Sequence, residues 1–403
     1  MGVMAQLGPL SRTTVLVRWV MLGALSGMLA GVASFVFLEG LQRVTTLRVD
    51  HGWLIACLPL AGLVIGLANH RLAGRSSGGN SLLLEEIHSP TEWVPRRMAP
   101  MVLIGTWVTH LFGGSAGREG TALQMSGSLT DLAARVLRLG KDDRSVMLGA
   151  ALSGGFGSVF GVPLAGAVFG LEVQTAGRVR YRALVPALTA SVAGDAVVKA
   201  LGHEHVLRAA LPATTGIRST VLIATAGIAF GAAAVAFVEA TRAVRARMAK
   251  WFPTPTWRPV VGSIGVLGLT LLFGTDYLGL SLPLLDAAVG GTATDAWVWA
   301  LKIVFTAITI GSGFPGGEVT PLFVIGATLG AALAGPLGLP VAVVAAIGMV
   351  AVFGAAANTP LACTIMGVEL FGSAALVPMA IGCVVAYVVS GDRSIYESQP
   401  RDA

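Results

Sequence analysis

The chain has 403 residues, of which 54% are apolar and only 12% are charged, and its mean hydropathy is +0.77. Soluble domains carry about 25% charged residues, so this composition excludes a soluble enzyme, a disordered chain and a nucleic-acid-binding module. Glycine accounts for 53 residues, which is typical of closely packed membrane helices. We expect the net charge of +6 to reflect Lys and Arg in cytoplasmic loops rather than a polyanionic partner.

Long runs without charge identify the membrane segments. Residues 19–38, 145–171, 219–238 and 370–391 contain no Asp, Glu, Lys or Arg, and neither does Val319–Val368. A helix needs about 20 predominantly apolar residues to cross a bilayer. The sequence therefore predicts an all-α polytopic membrane protein with about a dozen or more membrane segments.

Three apolar segments are too short to span a membrane as regular helices. These are Leu82–His88, Leu280–Val289 and Pro360–Phe371, and each is bounded by Gly, Pro, Asn or charged residues. Non-helical backbone at membrane depth is tolerated only where it is buried in protein or lines a cavity, so such segments point to a transport site. The alternative is that each is an ordinary tilted or kinked helix.

Two pairs of motifs indicate an internal repeat. Gly117–Leu123 and Gly316–Leu322 share the pattern G-x-E-x-T-x-L at an offset of 199 positions. Gly157–Glu172 and Gly354–Glu369 share G, P-L-A, G and E at identical spacing, at an offset of 197. Many transporters are duplicated in this way, with the binding site at the interface of the repeats. The motifs alone leave open whether the halves are parallel or inverted.

Carboxylates within the apolar segments are the chemical signal. Glu119 and Glu318 each lie where a glycine-rich stretch meets a helix, and a helix N-terminus is a ready anion site. An ionised carboxylate there would occupy the site as a tethered anion and could leave when protonated. The alternatives are pairing of Glu119 with Arg118 and N-capping by Glu318. Glu172 and Glu369 are expected to be structural.

The segments Gly113–Leu129, Gly154–Val173 and Gly316–Gly330 resemble the CLC family of anion channels and anion/proton antiporters. The resemblance extends over about residues 15–398. It implies a CLC-type inverted repeat with tilted and broken helices, in a homodimer with one anion pathway per subunit. The implied organisation is a single transmembrane domain of residues 1–403, with a first half of 15–200 and a second half of 217–398.

Several motifs depart from the chloride-type pattern of that family. Asn80 stands where the filter serine is expected, G-R-E-G ends in Thr121, and Gly317–Pro321 replaces G-x-F-x-P. Val173 stands where proton-coupled chloride members have an inward-facing glutamate. These departures resemble the fluoride-exporting bacterial branch. Fluoride is strongly hydrated, so its site must return strong hydrogen bonds, which the Asn80 amide could donate; Asn80 could equally cap the helix that follows it.

The resemblance assigns roles to named residues. Glu119 is expected to be the gating and proton-transfer glutamate, and Glu318 a second proton or selectivity carboxylate. Tyr396 matches the family tyrosine that faces the central anion, with an interfacial aromatic anchor as the alternative. The expected anion-binding residues are Asn80, Gly117, Gly120, Thr121, Gly317, Val319, Thr320 and Tyr396.

The resulting hypothesis is a fluoride/proton antiporter, not an enzyme, in the bacterial plasma (inner) membrane. Its partners would be fluoride, protons, the lipid bilayer and a second copy of the chain, with no nucleic acid. No cofactor or metal is expected, because Cys57, Cys363 and Cys383 and the stretch His203–His205 lack metal-ligand spacing. The alternatives are a chloride/proton antiporter and a passive anion channel.

Overall fold

The computed structural model of the chain describes residues 9–205, 209–212 and 216–401. Within these ranges the secondary structure is helical apart from isolated bridges. The α-helices are α1 (Pro9–Asp50), α2 (Leu58–Ala68), α3 (Gly79–His88), α4 (Met98–Leu111), α5 (Glu119–Val136), α6 (Lys141–Phe160), α7 (Pro163–Glu172), α8 (Leu184–Ala200), α9 (Ile217–Trp251), α10 (Trp257–Phe273), α11 (Leu282–Val289), α12 (Val298–Gly311), α13 (Val319–Leu337), α14 (Val341–Ala357), α15 (Pro360–Phe371) and α16 (Leu376–Ser390).

The predicted polytopic architecture is confirmed. Among the described residues, six helical stretches are long and apolar enough to cross a membrane, and six further apolar helices are shorter. The three segments predicted to be short form α3, α11 and α15, which have 10, 8 and 12 residues. At 1.5 Å per residue these helices cover about 12–18 Å, well below the ~30 Å hydrocarbon core. Neither α11 nor α15 can therefore cross the membrane alone, and α3 is the last part of the broken helical stretch Gly52–His88.

Glycine allows the long helices to pack with their backbones in contact. Gly23, Gly27 and Gly31 form a stripe on α1 that faces α8. A Cβ on Gly27 would lie 2.3 Å from the carbonyl oxygen of Ala190, so no side chain fits there. Packing of this kind is what small residues at four-residue spacing provide in membranes, and it explains the glycine content of the sequence.

The structural alignment of the two halves differs by one residue from the alignment of their shared motif. Gly117 and Gly317 form an antiparallel bridge and hold equivalent positions before α5 and α13. The true offset is therefore 200, whereas the shared motif implies 199. Glu318 occupies the place of Arg118, and it is not the counterpart of Glu119. The two registers differ because α5 begins at its glutamate, whereas α13 begins one residue after its glutamate.

The second motif pair keeps its predicted register and ties the halves together. Glu172, the last residue of α7, accepts hydrogen bonds from two N–H groups in the first turn of α15, at 3.0 and 2.8 Å. Glu369 of α15 accepts the equivalent two bonds from the first turn of α7, at 2.9 and 2.7 Å. Each carboxylate thus caps the helix that carries the other, a favourable place for negative charge.

A buried ion network holds the end of α3 against α5 and α6. Arg144 donates to Asp131, to Glu86 at 3.1 Å and to the Glu92 carbonyl at 2.7 Å, while its guanidinium lies over Trp93. The side chains of Arg144, Asp131 and Glu86 are 5%, 1% and 2% exposed. Because α3 begins at the candidate site, this network fixes the position of that helix.

We expect Arg144→Met to destabilise the protein by about 3–5 kcal/mol. The change leaves the buried Asp131 carboxylate without its cation and removes one of the two arginines that pair with Glu86, the other being Arg75. The measurement is the thermal unfolding midpoint of the purified protein in detergent. The matched control is Arg182→Met, whose partner Asp142 is 81% exposed, and we expect little change there. Equal midpoints for the two variants would contradict the stabilising role of the network.

Candidate anion and proton site

The N-terminus of α5 meets the N-terminus of α13 at the centre of the molecule, and Glu119 joins them. The Glu119 side chain is fully buried. Its carboxylate accepts hydrogen bonds from the Thr320 N–H at 3.0 Å and from the Thr320 hydroxyl. It also accepts the N–H of Arg118 at 3.1 Å, with the Arg118 guanidinium Nε at 3.6 Å. The carboxylate of one half therefore fills the helix N-terminus of the other half, where an anion would bind.

The predicted anion-binding role of the Gly117 and Gly317 amides does not fit this conformation. The Gly117 N–H donates to the Gly317 carbonyl at 2.6 Å, and the Gly317 N–H donates to the Gly117 carbonyl at 2.8 Å. Both N–H groups are thus used to hold the two loops together. Sequence reasoning assigned them to the anion because it could not see this pairing across 200 positions.

Asn80 lies beside the N-terminus of α5 and does not cap its own helix. The N-cap of α3 is Gly78, and no side chain caps that helix. A Cβ added to Gly120 would lie 3.2 Å from the Asn80 amide nitrogen and 3.2 Å from the Gly317 Cα. The structure therefore brings Asn80 close to Gly120 and Gly317, and the capping alternative for Asn80 is wrong.

The hydroxyl of Thr121 points to a neighbouring helix. It forms a 2.7 Å hydrogen bond with the hydroxyl of Thr106 on α4. Val319 is the first residue of α13 and is buried, so it can offer only its backbone N–H to the site. Of the two filter threonines, Thr320 is the one whose hydroxyl reaches Glu119.

The segment after α16 brings Tyr396 to the same centre. Tyr396 is 5% exposed, and its ring lies close enough to both Glu119 and Glu318 to interact electrostatically with them. An aromatic side chain that is this deeply buried is not an interfacial anchor, so that alternative is wrong.

Glu318 faces a different environment from Glu119. It is the N-cap residue of α13, but its side chain makes no capping bond. It borders a narrow crevice together with Arg242, Arg245 and Glu397, and Arg245 forms an ion pair with Glu397. These arginines were not assigned to the site from the sequence, although their three-residue spacing places both on one face of α9.

A wide cavity reaches the site from another direction. It has a volume of about 470 Å³ and is lined by Arg118, Thr320, Phe160 and His205 among others. The Arg118 guanidinium lies 5.5 Å from the centre of the Phe160 ring. Arg118 and Thr320 thus line this cavity, while Glu318 lines the crevice.

The comparisons agree with this architecture. The sequence model of the voltage gated chloride channel family matches residues 61–391. The chain belongs to this family, the CLC family. The "Chloride/fluoride channel protein" of Pseudomonas syringae pv. tomato is 45% identical over 392 residues, which cover 95% of this chain and 86% of that protein. The chain is also 25% identical to the "H(+)/Cl(-) exchange transporter ClcA" of Cronobacter sakazakii, over 96% of this chain and 90% of that protein.

Solved structures of CLC proteins share the fold. The crystal structure of a CLC-type fluoride/proton antiporter superposes with a TM-score of 0.93 and 34% sequence identity, over 98% of this chain and 100% of that chain. A slow cyanobacterial Cl⁻/H⁺ antiporter superposes with a TM-score of 0.81 at 21% identity, over 93% of this chain and 94% of that chain. The predicted fold class, a polytopic CLC-type inverted repeat, is confirmed.

Proposed function

We propose that this protein is a secondary transporter that exports fluoride in exchange for protons. It acts in a bacterial inner membrane as a homodimer. Each subunit is built from two inverted halves, residues 15–200 and 217–398. It is a transporter without enzymatic activity. The observation that carries the proposal is the Glu119 carboxylate, which fills the N-terminus of α13 and accepts both Thr320 donors.

The exchange follows from competition for one helix N-terminus. An ionised Glu119 carboxylate excludes a second anion by occupying the Thr320 donors. Protonation removes the charge that the helix N-terminus favours, so the side chain can leave and fluoride can take its place. Return of the side chain requires loss of the proton and departure of the anion. Anion movement and proton movement are therefore linked through one side chain.

Preference for fluoride arises from donors in a confined site. Thr320 donates an N–H and an O–H, and the Asn80 amide nitrogen lies beside Gly120. Buried donors left unpaired by a larger, softer anion carry a penalty of about 1–3 kcal/mol each. The resemblance of this chain to a fluoride/proton antiporter at 34% identity supports the same preference.

Glu318 and Tyr396 complete the proton side of the proposal. Glu318 borders the crevice at Arg242 and Arg245, which belong to the basic end of α9 and so face the cytoplasm under the positive-inside rule. Glu318 exchanges protons with that side, and the buried Tyr396 interacts electrostatically with both Glu318 and Glu119. This arrangement replaces the inward-facing glutamate whose position is held by Val173.

The membrane potential drives the exchange. Each charge that moves through 100 mV gains about 2.3 kcal/mol. Outward fluoride and inward protons each move one charge downhill when the cell interior is negative. A one-for-one exchange therefore gains about 4.6 kcal/mol per 100 mV, which is enough to keep cytoplasmic fluoride low.

The test uses purified protein in liposomes loaded with fluoride or chloride, with anion electrodes and a pH electrode outside. Fast fluoride efflux, slow chloride efflux and matched proton uptake are the expected result. Comparable chloride efflux with proton uptake would instead establish a chloride/proton antiporter, the activity named for the Cronobacter relative. Fluoride efflux without proton movement, even under an imposed pH gradient, would establish a channel.

Thr320→Val should raise the fluoride KM by about tenfold or more. The change removes the hydroxyl at nearly constant shape, and a hydrogen bond to a charged group contributes about 1.5–3 kcal/mol. Thr121→Val is the matched control, because that hydroxyl bonds Thr106 and should leave the KM within about threefold. The measurement is the initial efflux rate as a function of internal fluoride; a larger effect of Thr121→Val would restore Thr121 as the anion ligand.

A further inference from the structure

Lys302 is a buried cation inside a membrane helix. Its side chain on α12 has no solvent exposure. The ammonium nitrogen donates to the hydroxyls of Ser115 and Ser281 at 2.9 and 2.8 Å, and to the carbonyls of Tyr277 and Gly279 at 3.1 and 2.9 Å. Four oxygen atoms therefore surround a group with three N–H donors, which solvates its charged form.

Among the described residues, Lys302 forms no ion pair with a carboxylate, and its four hydrogen bonds go to neutral oxygen atoms. The guanidinium of a second basic residue, Arg48, lies beside Gly279, whose carbonyl accepts one of those bonds. Arg48 also has a buried Nη1 without a hydrogen-bond partner. Together, Lys302 and Arg48 form a buried basic cluster.

The basic cluster lies directly behind the loop that leads into α5. The Ser115 hydroxyl of that loop accepts the Lys302 bond and shares a 2.9 Å bond with the Thr306 hydroxyl. The Ser115 N–H donates to the Thr309 hydroxyl at 3.1 Å. Two residues further along, Gly117 bridges to the other half. The loop therefore carries the ammonium contact at one end and Glu119 at the other.

A buried charge without a counter-ion acts over a long distance, because the protein interior screens it weakly. The Lys302 and Arg48 side chains therefore place positive charge behind the loop that leads to the anion site. Membrane proteins bear the cost of such a residue where it serves an ion pathway. Hydrogen bonds alone do not account for a lysine here, since a neutral polar side chain could make them.

We infer that Lys302 is an affinity-determining residue: its fixed charge, held by Ser115, Ser281 and two carbonyls, raises the affinity of the Glu119–Thr320 site for the transported anion. This inference rests on the proposed function for the identity of that anion. Lys302 acts through the electric field and through the position of the loop, and it does not contact the anion.

The test compares neutral variants of the full-length protein in liposomes. Lys302→Met and Lys302→Gln should each raise the fluoride KM at least fivefold, while the maximal rate changes less than twofold. Lys302→Arg should bring the KM back toward the wild-type value. Ser281→Ala removes one of the four oxygen contacts but keeps the charge, and its KM should stay within twofold. A merely structural role would lower the maximal rate or the thermal stability without this pattern in KM.

The inference would be overturned if Lys302→Met or Lys302→Gln elutes as a folded protein and has the wild-type KM. If neither folds, Arg48→Gln replaces them as the decisive variant and should raise the KM at least twofold, because Arg48 belongs to the same cluster. Exposed Arg43 on the same helix provides the control, Arg43→Gln, with an unchanged KM; equal KM values for these two variants would also overturn the inference. If the wild-type protein transports chloride rather than fluoride, the proposed function fails. The inference about Lys302 is then tested by the same KM ratios between variants, measured for chloride.

Discussion

Glu119→Gln should reduce proton uptake during fluoride efflux to the level of protein-free liposomes. Glutamine does not take up or release a proton near neutral pH. The variant therefore lacks the side chain that couples fluoride movement to proton movement. Any remaining fluoride movement should follow its own gradient and become insensitive to an imposed pH gradient. The measurement records external pH and external fluoride simultaneously from the same liposomes.

The matched control for this variant is Glu369→Gln. Glu369 is also a carboxylate at the N-terminus of a helix from the other half, but it lies outside the candidate site. We expect this variant to retain proton uptake in proportion to its fluoride efflux. Wild-type proton uptake by Glu119→Gln would remove Glu119 as the coupling residue and leave Glu318 as the remaining candidate.

Gly317→Ala should lower fluoride efflux at least tenfold. A Cβ at this position would lie 2.8, 2.9 and 3.1 Å from the amide nitrogens of Gly120, Glu119 and Arg118. All three are backbone atoms of the first turn of α5, so the two helix N-termini must move apart. Overpacking of this kind costs about 1–3 kcal/mol. The movement also separates the Glu119 carboxylate from its Thr320 donors.

The measurement for Gly317→Ala combines efflux rate with the thermal unfolding midpoint. Gly268→Ala is the control, because a Cβ on Gly268 has open space around it and alanine favours the helix. Proton uptake should fall in parallel with fluoride efflux in the Gly317 variant. An unchanged efflux rate would mean that the loops can separate without cost, and that their close contact does not shape the site.

Much of the fold followed from the sequence because membrane helices leave strong local signals. The charge-free runs, the short segments that became α3, α11 and α15, and the position of Glu119 at a helix N-terminus were all predictable. These features depend on composition and on neighbours within about one turn. Tertiary pairing was needed only to show what each feature contacts.

The details that escaped prediction depend on contacts between distant segments. The one-residue shift that separates Glu318 from Glu119 could not be read from the motif, because its letters match at an offset of 199 and not at the structural offset of 200. The N–H groups of Gly117 and Gly317 each donate to the carbonyl oxygen of the other residue rather than to an anion. Lys302 belongs to no motif, and nothing in its neighbours along the chain indicates the four oxygen atoms that surround it.

The exchange of caps between α7 and α15 has a consequence for biogenesis. The first half emerges from the ribosome before the second, so the first turn of α7 enters the membrane without its Glu369 acceptor, and Glu172 enters without its N–H donors. Unsatisfied polar groups are costly in hydrocarbon. The first half must therefore remain loosely assembled until the second half has been synthesised. The reciprocal capping bonds between α7 and α15 form only once both halves are present.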